Sequence, residues 1–283
     1  MHNTQLDLSF SIKESIRKID FKGLQIGGNR SFSFMKENQN NAQSLIALEF
    51  LYSSKDIITQ ISKNNKADII SIKFDITEEN LDEKLSEIKD FLKNIKQIIN
   101  KPLILRGANN NDIDKKLIPV LAENAPYESI IAFADENTYE QIVPAVSKNN
   151  HLLVLRSPID INLAKELNIL SIDKGMSPDR ILIDPDMGGL GYGLDYGYSI
   201  IEKIRQAAFE GDTMLNMPVI AFIGEESYRA KEAKSDTFSP DWGNFEERCV
   251  MWEIAGASAM ISAGADIVVL WNPKSVEVIK EML

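Results

Sequence analysis

Residues 181–205 read ILIDPDMGGLGYGLDYGYSIIEKIR. Ile181, Leu182 and Ile183 make a short apolar run, the pattern of a buried strand. Asp184, Pro185 and Asp186 end that strand with two carboxylates. Gly188, Gly189, Gly191 and Gly193 follow, with Tyr192 between the last two. A loop so rich in glycine lets the backbone approach a ligand closely. Tyr196, Ile200, Ile204 and Ala208 then recur every four residues, which predicts an amphipathic helix lying over the strand. Strand, polar glycine loop and helix form the repeating unit of an α/β protein. The loop falls where such folds keep their sites.

The same unit recurs on both sides of this stretch. Upstream, strands are predicted at Leu24–Ile26, Asp68–Phe74, Pro102–Leu105, Ser129–Phe133 and Leu152–Leu155. Downstream, they are predicted at Val219–Ile223 and Ile267–Leu270. Helices are expected around Ala42–Tyr52, over Glu78–Ile99 behind a Thr77 cap, and at Leu117–Glu123, Asn137–Lys148 and Asn162–Leu167. A long helix over Asn244–Ala263 should turn Val250, Met251, Ile254, Ala257 and Ile261 inward. Residues 1–22 read as a lead-in helix with Ile12, Ile16 and Ile19 on one face, and 23–283 as a single barrel domain. Eight strands alternating with helices over about 250 residues predict an eight-stranded parallel β/α barrel of the TIM type. The open doubly wound alternative needs an early dinucleotide turn, and Gly27–Gly28 lacks its third glycine and its acidic partner.

The chain has 283 residues, 44% of them hydrophobic, enough for one large core. Its net charge of −11 makes nucleic acid and anionic membrane poor partners. No run of about 18 apolar residues exists to span a bilayer, and the first residues lack a secretion pattern. The one cysteine, Cys249, cannot hold an iron–sulfur cluster or a structural zinc, and a cytoplasmic chain is the simple reading. The two histidines, His2 and His151, nearly close off mechanisms built on paired histidines.

In a barrel the C-terminal strand ends line one mouth. Those ends supply Asn29, Asp75, Arg106, Asn109, Asp135, Arg156, Ser157, Asp184, Asp186, Glu225 and Asn272. Asp184 and Asp186 suit general acid–base work, ligation of a hard cation, or turn capping. Gly188, Gly189 and Gly191 would let a flat group lie on the backbone, with Tyr192 packing on that group or on a partner. Arg106 and Arg156 could bind a carboxylate, or pair internally with Asp135 or Asp184. Glu225 and Glu226 have the same two options, with Lys231 nearby. Cys249 reads as an ordinary helix cysteine, and His151 as structural, at the far end from the mouth. No catalytic base–nucleophile pair and no metal set emerges.

The segments SPIDINLAKELNI, DPDMGGLGYGLDYGYSIIEKIR, GEESYRAKEA and GADIVVLWNP, with Gly27–Gly28 and PLILRGANNNDID, resemble the small (delta) subunit of the corrinoid iron–sulfur protein. That family belongs to the carbon monoxide dehydrogenase/acetyl-CoA synthase system, and the likeness runs through nearly the whole chain. It implies a β/α barrel paired with a large subunit that carries an iron–sulfur cluster and cobalamin. It implies a non-catalytic role in passing a methyl group from methyltetrahydrofolate, by way of a separate methyltransferase, to acetyl-CoA synthase in the reductive acetyl-CoA pathway. Asp184, Asp186, Gly188, Gly189, Gly191, Tyr192, Glu225 and Asn272 would then face the corrinoid. The barrel is also similar to pterin-dependent methyltransferases, which leaves direct action on methyltetrahydrofolate as the alternative. The chain departs from the family at Tyr228, where a Trp is expected, and at Asn272–Pro273, where His-Pro is expected.

Overall fold

In the computed structural model, residues 12–29, 43–63, 66–79, 81–186, 193–235, 237 and 239–283 are described. Among these described residues, ten strands and ten α-helices follow in order. They are β1 (Lys18–Phe21), β2 (Leu24–Gly27), β3 (Leu45–Leu51), α1 (Ile57–Lys63), β4 (Ile69–Lys73), α2 (Leu81–Ile95), β5 (Leu103–Arg106), α3 (Asn111–Asn124), β6 (Ile130–Ala134), α4 (Tyr139–Lys148), β7 (Leu152–Arg156), α5 (Ile161–Asp173), β8 (Ile181–Asp184), α6 (Leu194–Phe209), β9 (Ile220–Phe222), α7 (Ile223–Arg229), α8 (Lys231–Lys234), α9 (Phe245–Ala263), β10 (Ile267–Leu270) and α10 (Pro273–Met282).

Eight strands form one parallel sheet in the order β8-β7-β6-β5-β4-β3-β10-β9. The edges β8 and β9 meet through a single parallel bridge, Ile183 to Val219, which brings the sheet to a nearly closed barrel. This seam is clasped from below. The Asp266 carboxylate accepts from the Val219 amide at 2.7 Å and from the Arg205 guanidinium, which also donates to the carbonyls of Gly264 and Met217. The barrel therefore stands as predicted, and no described helix is long and apolar enough to cross a membrane.

The first barrel strand is not the expected one. LIALEFL over Leu45–Leu51, read as helix, is β3, and β10 and β4 flank it. Its interior residues are buried on both faces, which erases the alternation that marks a half-buried strand and leaves a run rich in helix formers. Leu24–Ile26 belongs instead to a hairpin with β1. Lys22 and Gly23 turn it, both with positive φ (51° and 81°), as a two-residue turn between right-twisted strands requires. The expected lead-in helix is thus corrected over residues 18–21, which alternate outward Lys18 and Asp20 with buried Ile19 and Phe21; residues 1–11 lie outside the described residues. Ile19, Phe21 and Ile26 pack against Ile69, Ile104, Ile130, Leu182 and Ile267, closing the N-terminal end of the barrel. Asn29 lies at this same end, where its side chain accepts from the Ile16 amide, so it does not belong to the mouth.

Apart from the lead-in helix and Ala42–Tyr52, the predicted helices occur with shifted ends; α2 begins at Leu81, beyond Thr77, and α4 runs on through Pro144. On α9 the buried residues are Cys249, Glu253, Gly256, Ala257, Met260 and Ala263. Met251, expected inside, is 64% exposed. Ala257 is buried as expected, and Ile254 and Ile261 are partly buried against the core, so hydrophobicity misplaced Met251 and missed the buried Glu253. His151 is structural as expected. Its Nδ1 accepts from the Ser129 amide at 3.2 Å and its Nε2–H donates to the Ala122 carbonyl at 2.8 Å; burial depresses its pKa, which favours this neutral tautomer.

Candidate functional site

The mouth of the barrel is floored by charge. Strand alternation turns Glu49 of β3, Ser71 and Lys73 of β4, and Arg106 of β5 inward at the C-terminal level, where Glu225 of α7 meets them. Arg106 donates through Nη1 to Glu49 at 2.8 Å and through Nη2 to Glu225 at 2.6 Å. Lys73 donates to the other Glu225 oxygen at 2.7 Å, and Arg229 pairs with that same oxygen from the rim. Ser71 Oγ and Trp271 Nε1 complete Glu49, at 2.9 and 2.8 Å. Arg106, Glu49 and Glu225 side chains are all at most 3% exposed.

Burial works against the charge of Arg106, yet Glu49 and Glu225 hold its guanidinium above the usual value. Burial likewise pushes Glu225 up, but Arg106, Lys73 and Arg229 outweigh it and bring the carboxyl down to about 2. Both groups are charged at neutral pH.

A second pair lies beside the first. Arg156 Nε donates to the fully buried Asp184 at 2.7 Å, and the other Asp184 oxygen accepts the Asp186 amide at 3.0 Å. Burial raises the Asp184 pKa, and Arg156 pulls it back. Phe133 and Phe222 separate the two pairs. The guanidinium carbon of Arg156 sits 3.4 Å from the Phe133 ring centre and that of Arg106 sits 4.6 Å from the Phe222 centre, both within cation–π range. Phe133 reaches the interior where the register of β6 against β7 shifts between Ala132 and Ala134.

Above this floor lies a pocket of about 430 Å³. Asn109, Asp135, Asn137, Arg156, Asp186 and Arg229 supply its polar wall, and Phe133 part of its base. The loop bearing Asn109 is locked by Asp114, whose carboxylate accepts the amides of Ala108, Asn109 and Asn110 at 2.7, 2.9 and 3.1 Å. Gly107 makes this possible, since a Cβ there would lie 2.4 Å from the Asp114 carboxylate. Ile159 and Asp186, on the two loops at the far wall, both have positive φ (48° and 41°), and the Ile159 amide donates to the Pro185 carbonyl. A β-branched residue in that region is strained, and strain of this kind gathers at ligand-facing loops.

Of the predicted site residues, Asp186 lines this pocket, while Asp184 and Glu225 lie buried beneath it as partners of arginines. Asn272 sits apart: it caps α10 and donates to the Tyr228 hydroxyl at 3.2 Å. Gly188, Gly189, Gly191 and Tyr192 lie outside the described residues. Arg156 takes the internal partner foreseen for it, whereas Arg106 pairs with Glu49 and Glu225. The counter-charges of Glu225 are Lys73, Arg106 and Arg229 in place of Lys231. Cys249 is buried beside Ala230 and Ala233, and burial pushes its thiol up to about 11. Sequence reasoning missed Glu49, Lys73, Arg229 and Trp271. Lys73 had a signal, because Ser71 and Lys73 alternate with Ile70 and Ile72. Glu49 had none once its segment was read as helix.

The profile of the CO dehydrogenase/acetyl-CoA synthase delta subunit family matches residues 34–282. The chain belongs to this family. Relatives named acetyl-CoA decarbonylase/synthase complex subunit delta include one from Methanocaldococcus jannaschii, 30% identical over 76% of this chain and 53% of its own length. Another, from Methanosarcina mazei, is 34% identical over 68% of this chain and 45% of its own length. This delta-family chain spans about half the length of the relatives it matches. Among solved structures, dihydropteroate synthases share its fold. The Yersinia pestis enzyme, solved with a pterine-sulfa conjugate, superposes with a TM-score of 0.63 at 15% identity, covering 94% of this chain and 99% of its own. The Coxiella burnetii enzyme, solved with pteroic acid, gives 0.58 at 15% identity over 94% and 97%.

Proposed function

We propose that this chain is the barrel subunit of a corrinoid methyl carrier within an acetyl-CoA decarbonylase/synthase complex. It braces a large subunit that holds cobalamin and an iron–sulfur cluster, and its mouth covers the corrinoid face. The observation that carries this reading is the paired floor. Arg106, Lys73 and Arg156 are each matched by a buried carboxylate within 2.8 Å, so these groups hold one another and not a reacting proton.

The pocket above that floor suits a small polar group, or the periphery of a larger one. A corrin macrocycle does not sink into 430 Å³. Laid across the mouth, it would meet Asn109, Asn137 and Arg229 with its polar side chains and the Phe133 side with its flat face. When bound, the corrinoid supplies the metal centre that carries the methyl group; this chain's residues orient it and limit the access of water. Methyltetrahydrofolate, its dedicated methyltransferase and acetyl-CoA synthase then act as donor, loader and acceptor.

Co-expression with the cobalamin-carrying large subunit tests the reading. A stable one-to-one pair that takes up methyl groups and passes them to acetyl-CoA synthase is expected. A chain that stays alone beside that subunit refutes it. Calorimetry on the isolated chain separates the pterin-dependent alternative, since tight binding of methyltetrahydrofolate by this chain without its partner would favour direct action on the pterin.

A further inference from the structure

Between Arg248 and Asp266 the sole charged residue is Glu253, and it is buried. The outward face of α9 therefore carries no charge over its last four turns. A barrel helix facing water normally sets its polar residues there. α9 instead shows Met251 at 64% exposure, exposed Ala255 and Ser262, and half-buried Trp252, Ser258 and Ala259. Met282 of α10 extends the face, 62% exposed, with its sulfur 3.9 Å from Ser258 Oγ.

At the mouth end the face deepens into a groove of about 640 Å³ between α9 and the turn at Pro240–Trp242. Trp242, 58% exposed, forms one wall; Met251, Trp252 and Ala255 form the other. Trp242 is not a loose side chain on a loose loop. Ser239 caps its turn, Gly243 leaves the turn at φ 77°, and Asn244 and Glu247 close a capping box on α9. Arg248 ties the turn to the body through the carbonyls of Gly243 (2.6 Å) and Ala233 (2.8 Å). A pre-set aromatic anchor beside an apolar groove loses little freedom on binding, and tryptophan leads among interface anchors.

We propose that this groove and the outer face of α9 seat a helix of a different polypeptide, one presenting small and apolar side chains with Lys or Arg at the end that meets Trp242. The charge at the rim selects that occupant. Exposed Asp241 lines the groove beside Arg248, whose guanidinium is engaged by the Gly243 and Ala233 carbonyls; exposed Glu247 stands one helical turn before Met251, and the whole chain carries −11. A second copy of this chain brings like charges together, whereas a basic-flanked helix is drawn in. Small residues at Ala255, Ser258, Ala259 and Ser262 let a helix backbone approach closely.

Taking the large corrinoid-carrying subunit as the source of that helix rests on the function proposed above. The test measures the dissociation constant of the co-purified pair for wild type, Ala255→Glu, Trp242→Ala and Asp241→Lys, with the thermal midpoint of each free chain as the folding control. Ala255→Glu and Trp242→Ala should each weaken pairing at least tenfold at an unchanged midpoint, and Trp242 emission should shift to the blue in the wild-type pair. Asp241→Lys should slow association and flatten its salt dependence. A wild type that pairs while Ala255→Glu pairs equally well overturns this inference and leaves the functional reading intact. A wild type that does not pair at all overturns both. Sedimentation of the free chain as a dimer that Ala255→Glu converts to monomer assigns the face to a second copy and also overturns the proposal.

Discussion

Replacing Arg106 by Met removes the one cation that bridges Glu49 and Glu225 beneath the mouth. Glu225 keeps Lys73 and Arg229. Glu49 keeps Ser71 and Trp271, both neutral donors. Breaking a buried ion pair by removing one partner costs roughly 3–5 kcal/mol, because a desolvated charge remains. We take about 4 kcal/mol, a large share of the roughly 5–15 kcal/mol that separates folded from unfolded domains. For a chain of 283 residues, an unfolding entropy of about 2 cal/mol/K per residue converts this to a drop of about 7 °C in the thermal midpoint. One control gives the number its meaning. Arg106→Met/Glu49→Gln removes the stranded charge and should recover about half of the loss. Urea denaturation followed by Trp fluorescence reads all three proteins. A single variant that costs less than about 1 kcal/mol, or a double variant that fares worse than the single, would refute the argument that this network is tightly matched.

Wild-type stability should also carry an acid limb from Glu225: its folded pKa of about 2 lies below the ordinary 4.5, so its contribution is whole above 4.5 and is lost as pH falls through 2. That gap amounts to about 3 kcal/mol, and a thermal midpoint flat between pH 5 and 2.5 would contradict it. Glu253 acts in the opposite sense. Burial lifts its pKa to about 7 while it accepts the amides of Trp271 and Asn272, so stability is full below 4.5 and declines as pH rises through 7. Glu253→Gln, which keeps an acceptor without the charge, should flatten the midpoint between pH 5 and 7; an unchanged slope places the titration elsewhere. Gly224→Ala sets a Cβ 2.6 Å from both the ring and the backbone nitrogen of Trp271, so a loss of about 1–3 kcal/mol with a shifted Trp emission is expected, and wild-type stability would disprove the close packing. Asp114→Ala frees three loop amides and should cost about 2–3 kcal/mol and speed hydrogen exchange at Ala108, Asn109 and Asn110; exchange unchanged at these amides would mean that the loop holds itself.

The barrel was legible because its rhythm is local. Ile69–Lys73, Leu103–Arg106, Ile130–Ala134, Leu152–Arg156, Ile181–Asp184 and Ile267–Leu270 are short apolar runs that end in polar residues or are followed by them within two positions, and amphipathic helices separate them. Which strand came first was not legible. Leu45–Leu51 is buried on both sides and so shows no period of two, while Lys18–Phe21 alternates but stands beside isoleucines at helical spacing. Burial by neighbours decides such segments, and a single chain stretch does not display its neighbours.

The residue types alone set the barrel class, placed Arg106, Arg156, Asp184, Asp186 and Glu225 towards one end of it, and carried the family likeness through long specific segments. Tertiary structure decided what those charges do. Glu49 and Glu225 lie 176 positions apart in the chain, yet Arg106 bridges them within 2.8 Å, a matching that exists only once the sheet has curled round to its seam. It likewise decided that α9 hides a carboxylate and shows methionine and alanine to the outside. The buried Glu253 is held by the amides that begin α10, a requirement set by the packing of two helices and invisible in the periodicity of either.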